Sequence, residues 1–240
     1  LNDDGLAIIN ADDRFAVYWR ARARHHRTLT FGLDRPADVM ADVSVDGEAL
    51  ELLIRLPNDS IEVKLNLLGR HNAANALAAA TAAWSMGCTS EQIRCGLGNV
   101  QPIKGRLEPR RGAANSSLID DTYNANPASL DVAVQCLAPR AGRRIIVLGD
   151  MAELGSHSSD LHRAAGDMIR LAGIDHLLTI GDMAKNASDA FGLGASHFHS
   201  HDAVIDAARS LLGTDVTCLV KGSRSAEMEN VADALTETGS

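Results

Sequence analysis

Ser117-Leu118-Ile119-Asp120-Asp121-Thr122-Tyr123-Asn124-Ala125-Asn126-Pro127 reads as one unit of an α/β fold: an apolar strand, a polar loop at its end and a helix start. Pro127 suits the first turn of a helix, where its missing N–H would have no partner anyway, and Asn126 suits the cap before it. The unit recurs downstream. Apolar strands at 144–148, 176–180 and 216–220 alternate with helices near 128–138, 158–172, 183–191, 202–212 and 226–236. Strict alternation predicts a mostly parallel sheet covered on both faces, with ligands at the carboxyl ends of its strands. Those ends are Asp120-Asp121, Gly149-Asp150, Gly181-Asp182 and Lys221-Gly222.

Upstream the pattern differs. Ile8 and Ile9 mark a short strand, and residues 13–24 read as a helix. From Val39 to Leu67 apolar residues alternate (Val43, Val45; Leu50, Leu52, Ile54; Ile61, Val63, Leu65), broken at Asp46-Gly47 and Pro57-Asn58-Asp59. That predicts antiparallel hairpins with one wet face. An alanine-rich helix from His71 to Met86 is closed by Gly87, and a second runs from Ser90 to Leu97 behind a Thr89 cap. Residues 99–114 carry Pro and Gly without periodicity and read as an interdomain connection, which divides the chain into 1–106 and 107–240.

Composition narrows the classes. With 240 residues, 45% of them hydrophobic, the chain can build one large core or two ordinary ones. No apolar run approaches the roughly 18 residues that span a bilayer. The first residues have neither the basic nor the apolar region of a signal peptide, and read as a chain opening within a domain. A formal charge of −8 and only 3% aromatics argue against a nucleic-acid partner. Four scattered cysteines (Cys88, Cys95, Cys136, Cys218) fit a reducing cytoplasm better than a disulfide framework or zinc site. Gly96-Leu97-Gly98 lacks the third glycine of a dinucleotide fingerprint and follows a helix. His197, His199 and His201 alternate, but read as a solvent-side strand end rather than a metal site.

Five segments could carry chemistry. His71, Asn72 and Asn75 cluster on the first turn of one helix. An asparagine amide donates and accepts at once, which suits the N6/N7 edge of adenine; for Asn72, helix capping explains the residue as well. Asn75, inside the helix, has poor propensity and needs another reason. Arg106 in Gly105-Arg106-Leu107-Glu108 could clamp a phosphate or be a solvated loop charge. Asp120 and Asp121 point to opposite faces of a strand, so one can hold ribose hydroxyls or a metal while the other braces the loop. Gly149-Asp150-Met151-Ala152-Glu153-Leu154-Gly155 is an acidic loop at a strand end. Lys221 and Arg224 precede a helix whose free N–H groups favour an anion, or else are surface charges beside a capped helix.

GRHNAANALAAA, GRLE, LIDDTYNANPASL, VLGDMAELG and LVKGSRSAEME occur in the order and approximate spacing of the Mur ligase family, and the chain resembles that family over essentially its whole length. The HNxxN and strand-end Asp elements are shared with folylpolyglutamate synthases. The YNANP, GDMAELG and VKGSRS segments look like the branch that adds D-alanyl-D-alanine. The resemblance implies part of a central ATPase domain over 1–106, followed by a Rossmann-like, mostly parallel α/β domain over 107–240. It implies ATP and Mg²⁺, with UDP-N-acetylmuramoyl-tripeptide and D-alanyl-D-alanine joined through an acyl phosphate in the cytoplasm. Asn72 and Asn75 would contact adenine, His71 would lie near phosphates and metal, Arg106 would reach the phosphates, and Asp121 the ribose. Tyr123, Asn124, Asn126, Lys221 and Arg224 would line the cleft for dipeptide or acyl intermediate, with catalytic weight on Lys221, His71 and Arg106. No GxxxxGK[ST] phosphate loop is present, so the fragment is expected to need the N-terminal and phosphate-loop segments of the same protein for activity. A non-catalytic nucleotide-binding module and a relative with another acceptor are the alternatives. As a loop lysine, Lys221 is expected to matter to turnover more than to folding.

Overall fold

A computed structural model of the chain describes residues 1–2 and 4–237, in two compact units, Leu1–Gln101 and Pro102–Ser240. The division falls before Pro102 rather than after Arg106. The reason is local: the Gly105 carbonyl accepts the Tyr123 N–H, and the Leu107 N–H donates to Asp121, so 105–107 belongs with the second unit.

The first unit is a five-stranded sheet with helices α1 (Ala16–Arg22), α2 (Arg70–Ser85) and α3 (Ser90–Gly98). Its strands are β1 (Leu6–Asn10), β2 (Arg27–Gly32), β3 (Val39–Asp46), β4 (Ala49–Leu56) and β5 (Asp59–Leu65), in spatial order β1-β2-β3-β4-β5. β1, β2 and β3 run parallel, and β3, β4 and β5 form the expected antiparallel hairpins. The alternation buries Leu50, Leu52, Ile54, Ile61, Val63 and Leu65 against Ala73, Ala76, Leu77 and Ala80 of α2. That helical spacing is one face of a 3.6-residue period, and its small side chains allow a close approach. α2 ends where Gly87 (φ +87°) lets its own N–H reach the Trp84 carbonyl and the Cys88 N–H reach that of Ala83. α3 starts at a Thr89 capping box closed by Gln92. Helix α1 is shorter than the predicted 13–24, because Asp13 Oδ1 takes the Phe15 N–H in a turn ahead of it. Strand β2 was not anticipated: its Arg27-Thr28 start is exposed, and only Thr30, Phe31 and Gly32 are buried.

The second unit is a six-stranded sheet in the order β10-β9-β8-β11-β7-β6. Its strands are β6 (Glu108–Arg111), β7 (Ser117–Asp121), β8 (Arg143–Gly149), β9 (His176–Ile180), β10 (Ala195–Phe198) and β11 (Val216–Lys221). All neighbours are parallel except β6 with β7. Helices α4 (Pro127–Leu137), α5 (Ser158–Leu171), α6 (Lys185–Phe191), α7 (His201–Leu211) and α8 (Glu229–Leu235) complete it. β11 returns between β8 and β7, so the strand order reverses there and opens a crevice at the carboxyl ends. All six residues of β11 are buried.

Several expectations change here. The 99–114 connection contains β6, an edge strand, and a 3₁₀ turn at Ala113–Asn115. A four-residue charged strand with Pro109 leaves no periodic signal, and edges tolerate proline. The strand end read at His197–His201 is β10, which stops at Phe198, and His201 opens α7 instead. The last helix starts at Glu229, not near 226, because residues 224–226 form a 3₁₀ turn that ends on Glu227 at φ +49°. All four cysteines are free; burial pushes the Cys218 thiol up to about 12 and the Cys136 thiol to about 11. Among the described residues no helix is long and apolar enough to cross a membrane.

Two glycines test this packing in opposite directions. A Cβ on Gly166 of α5 would stand 2.1 Å from the Ala187 carbonyl oxygen of α6, whereas one on Gly96 of α3 meets nothing within 4 Å. Gly166→Ala should cost about 1–3 kcal/mol or more by overpacking. Gly96→Ala should stabilise by about 0.5–1 kcal/mol through helix propensity. Urea denaturation of the two variants checks both signs.

Candidate functional site

In the first unit the amide cluster opens α2. Gly69, at φ +87°, occupies the cap position, and no side chain caps the helix. Asn72 is therefore not the cap its residue type suggested: its Nδ2 donates to the Leu68 carbonyl at 2.7 Å, and its Oδ1 accepts from Asn75 Nδ2 at 3.2 Å. The acceptor-only carbonyl at one end orients both amides. Asn75, exposed, is left with Oδ1 and one N–H pointing outward from the relay. His71 is exposed on the same turn. Arg70 pairs with Asp34 in the loop after β2. That loop is fixed by Asp12, whose carboxylate accepts the N–H groups of Leu33, Asp34 and Arg35. Burial opposes the charge on Asp12, but these three bonds hold its carboxyl below the usual range.

In the second unit the carboxyl ends of β7 and β11 meet in register, Lys221 opposite Asp121. Lys221 is only 1% exposed and is the final residue of β11, so it is a buried strand residue rather than the loop lysine expected. Its Nζ donates to Asp121 Oδ2 at 2.5 Å and to the Asn124 carbonyl at 3.0 Å. Asp121 Oδ1 accepts the Leu107 N–H. One ion pair thus joins β11, β7, the loop after β7 and the 105–107 segment. Asp120 does other work, as opposite faces require. Its Oδ1 accepts the Thr122 N–H and hydroxyl, and its Oδ2 lies 2.6 Å from Arg110 Nη2, off the N–H axis. Burial pushes the Asp120 carboxyl up, against those partners.

Beyond Asn124 the loop turns into α4 through an Asn126 capping box with Ser129 and Pro127 at the first turn. Tyr123 stands half-exposed, with two guanidiniums over its ring: Arg106 at 4.2 Å and Arg224 at 5.9 Å from the centroid. Neither arginine has a carboxylate partner among the described residues. Beside them lies a cleft of about 710 Å³, lined by Tyr123, Asn124 and Asn126, by Ala152–Leu154 and by Ser223–Ser225. The cleft excludes Lys221. It adds Glu153, which the sequence flagged only as part of an acidic loop. Asp150 is a brace: its carboxylate accepts the Met183 and Ala184 N–H groups, and its carbonyl accepts that of Ser223.

So Arg106, Asp121, Tyr123, Asn124, Asn126, Lys221 and Arg224 gather in the second unit, and His71, Asn72 and Asn75 in the first. Among the described residues no group of three or more His, Cys, Asp or Glu is arranged to hold a metal ion, His71 included. His197 and His199 meet edge to face at 4.9 Å, and the Thr179 hydroxyl bonds the His197 ring.

Residues 1–83 match the Mur ligase middle domain, and residues 105–224 the Mur ligase glutamate ligase domain. Over its whole length the chain is 41% identical to the UDP-N-acetylmuramoyl-tripeptide–D-alanyl-D-alanine ligase of Escherichia coli (strain K12), covering 54% of that protein. A crystal structure of MurF from Acinetobacter baumannii superposes with a TM-score of 0.88 at 32% identity, over 99% of this chain and 52% of that one. MurF ligase from Thermotoga maritima, crystallised in complex with ADP, shares the fold (TM-score 0.83, 20% identity, 98% of this chain and 53% of that one). The chain thus spans about half the length of the relatives it matches.

The buried pair makes a stability prediction. Lys221→Ala leaves Asp121 charged and buried without its cation, which should cost about 3–5 kcal/mol. Adding Asp121→Asn should then cost far less than its single-mutant effect. Additive losses in urea denaturation would show that the two side chains do not act as a unit.

Proposed function

The chain belongs to the Mur ligase family, and from that premise we propose that it supplies nucleotide and acceptor groups to an ATP-dependent ligase that joins D-alanyl-D-alanine to a UDP-N-acetylmuramoyl-tripeptide. ATP phosphorylates the tripeptide carboxylate, the dipeptide amine attacks the acyl phosphate, and the amide forms with loss of phosphate. The supporting observation is the pair of unpaired guanidiniums over Tyr123 beside the cleft. Several surface arginines have carboxylate partners, such as Arg55 with Asp42 and Arg94 with Glu91, and these two do not. Two left open beside a cleft suit an anion, and a guanidinium binds phosphate or carboxylate through a planar fork.

The other groups fit the same reading. The oriented Asn75 amide presents an acceptor and a donor, the complement of the adenine N6/N7 edge. Asp121 keeps lone pairs beyond its two bonds for a ribose hydroxyl. Mg²⁺ would accompany ATP, held through phosphate oxygens and water rather than a side-chain cage. Lys221 acts here as a positioning residue that sets the Asn124 loop. We take the first unit, through Gln101, as part of the central ATPase domain and the second, from Pro102, as the acceptor domain. Four free thiols fit a reducing cytoplasm.

The test is ADP release by the full-length product of the gene encoding this chain, with tripeptide precursor present and D-alanyl-D-alanine added or withheld. Dipeptide-dependent release is expected; its absence rejects the assignment. In that protein Tyr123→Ala removes two exposed cation–π contacts of about 0.5–1 kcal/mol each, so KM should rise about 5- to 30-fold for ATP, dipeptide or both. Tyr123→Phe keeps the ring face and should stay within a fewfold of the parent.

A further inference from the structure

Of the residues that line the 710 Å³ cleft, two carry formal charge, and the charges are opposite: Arg224 and Glu153. Like that of Arg224, the Glu153 side chain is exposed and makes no ion pair or hydrogen bond among the described residues. Its backbone sits at φ +62°, in the left-handed region that a glycine occupies freely and a side chain occupies at a cost. Gly155, two residues on, takes φ +60° in the same loop. A carboxylate therefore stands where the local backbone favours no side chain at all.

The loop beneath it is rigid. Met151 N–H donates to Nε2 of the buried His162 at 2.9 Å, and the Asp150 carbonyl accepts the Ser223 N–H at 2.9 Å. That second bond ties the loop bearing Glu153 to the loop bearing Arg224. The cleft thus presents an open anion and an open cation from two loops joined at their base. The complementary ligand is a small zwitterion, with ammonium and carboxylate at opposite ends. Two extended residues separate such charges by at most about 7 Å.

Building on the ligase reading above, we propose that Glu153 is a specificity-determining residue: it receives the ammonium of the incoming dipeptide while Arg224 receives its carboxylate. Recognition then uses both ends of the acceptor. An acceptor lacking either charge leaves one of the two cleft charges unmatched, which is how a site rejects near-isosteres.

The experiment uses the full-length gene product and three ligands: D-alanyl-D-alanine, N-acetyl-D-alanyl-D-alanine, which lacks the ammonium, and D-alanyl-D-alaninamide, which lacks the carboxylate. Both analogues are read as inhibitors competing with the dipeptide, because the N-acetyl compound has no amine to attack the acyl phosphate, and the parent should bind each more weakly than the free dipeptide. Glu153→Gln should raise the dipeptide KM about 10- to 100-fold, leave the ATP KM within twofold, and erase the preference over the N-acetyl compound alone. Arg224→Gln should erase the preference over the amide instead. Glu153→Gly separates recognition from folding: relief of the left-handed backbone should hold or raise the melting temperature while dipeptide KM worsens. A Glu153→Gln enzyme with unchanged dipeptide KM and unchanged discrimination overturns the role of Glu153 and leaves the ligase reading standing. No dipeptide-dependent ADP release by the parent overturns both.

Discussion

The second unit is organised around the buried contact between Lys221 and Asp121. A lysine ammonium at 1% exposure is tolerable only where a counter-charge and further acceptors replace its water. Parallel pairing of β11 with β7 provides that replacement by placing the two residues side by side at the carboxyl edge. The third bond, to the Asn124 carbonyl, extends the order from the sheet into the loop, and Asp121 extends it back to Leu107. Arg106 and Tyr123 flank those two anchors, so their stacking inherits its geometry from the ion pair. The charge that looks most like a reagent is thereby committed to architecture, and the groups left free to meet a ligand are the arginines around it.

The first unit reaches a similar end through hydrogen bonds rather than a buried lysine pair. Its amide pair is oriented by one carbonyl, and its helix begins at a glycine with no side-chain cap. The loop opposite is held by the three N–H groups gathered on Asp12. Backbone groups, with fixed positions and no rotamers to lose, do most of the orienting in both units.

Much of the fold was legible because long elements carry strong periodicity. The β3–β5 hairpins, helix α2 and the strands after residue 117 follow from alternation, alanine spacing and strand–helix repetition. What escaped was short or disguised. Strand β6 is Glu-Pro-Arg-Arg and β2 opens with Arg-Thr; neither presents a run of apolar residues. The candidate residues were visible by type, and the strand ends told where to look. Their environments were not. Burial of Lys221 depends on a partner 100 positions away, and the stacking of Arg106 and Arg224 on one ring depends on three separate loops. Asn72 was read as a cap because local propensity favours that; Gly69 took the position instead. Glu153 gave no sign beyond a negative charge between glycines, since its left-handed backbone is a property of the folded loop.

Arg110 sits where the sheet would otherwise end in a row of open peptide groups. It gathers Glu108, Asp120 and Asp233, and so fastens the short outer strand to its neighbour and to α8. Pro109, in the middle of that strand, brings no N–H to a lateral newcomer. Together the proline and the charge knot act as a selvedge: the ladder is finished off on that side, and strands of neighbouring molecules find no seam along which to knit.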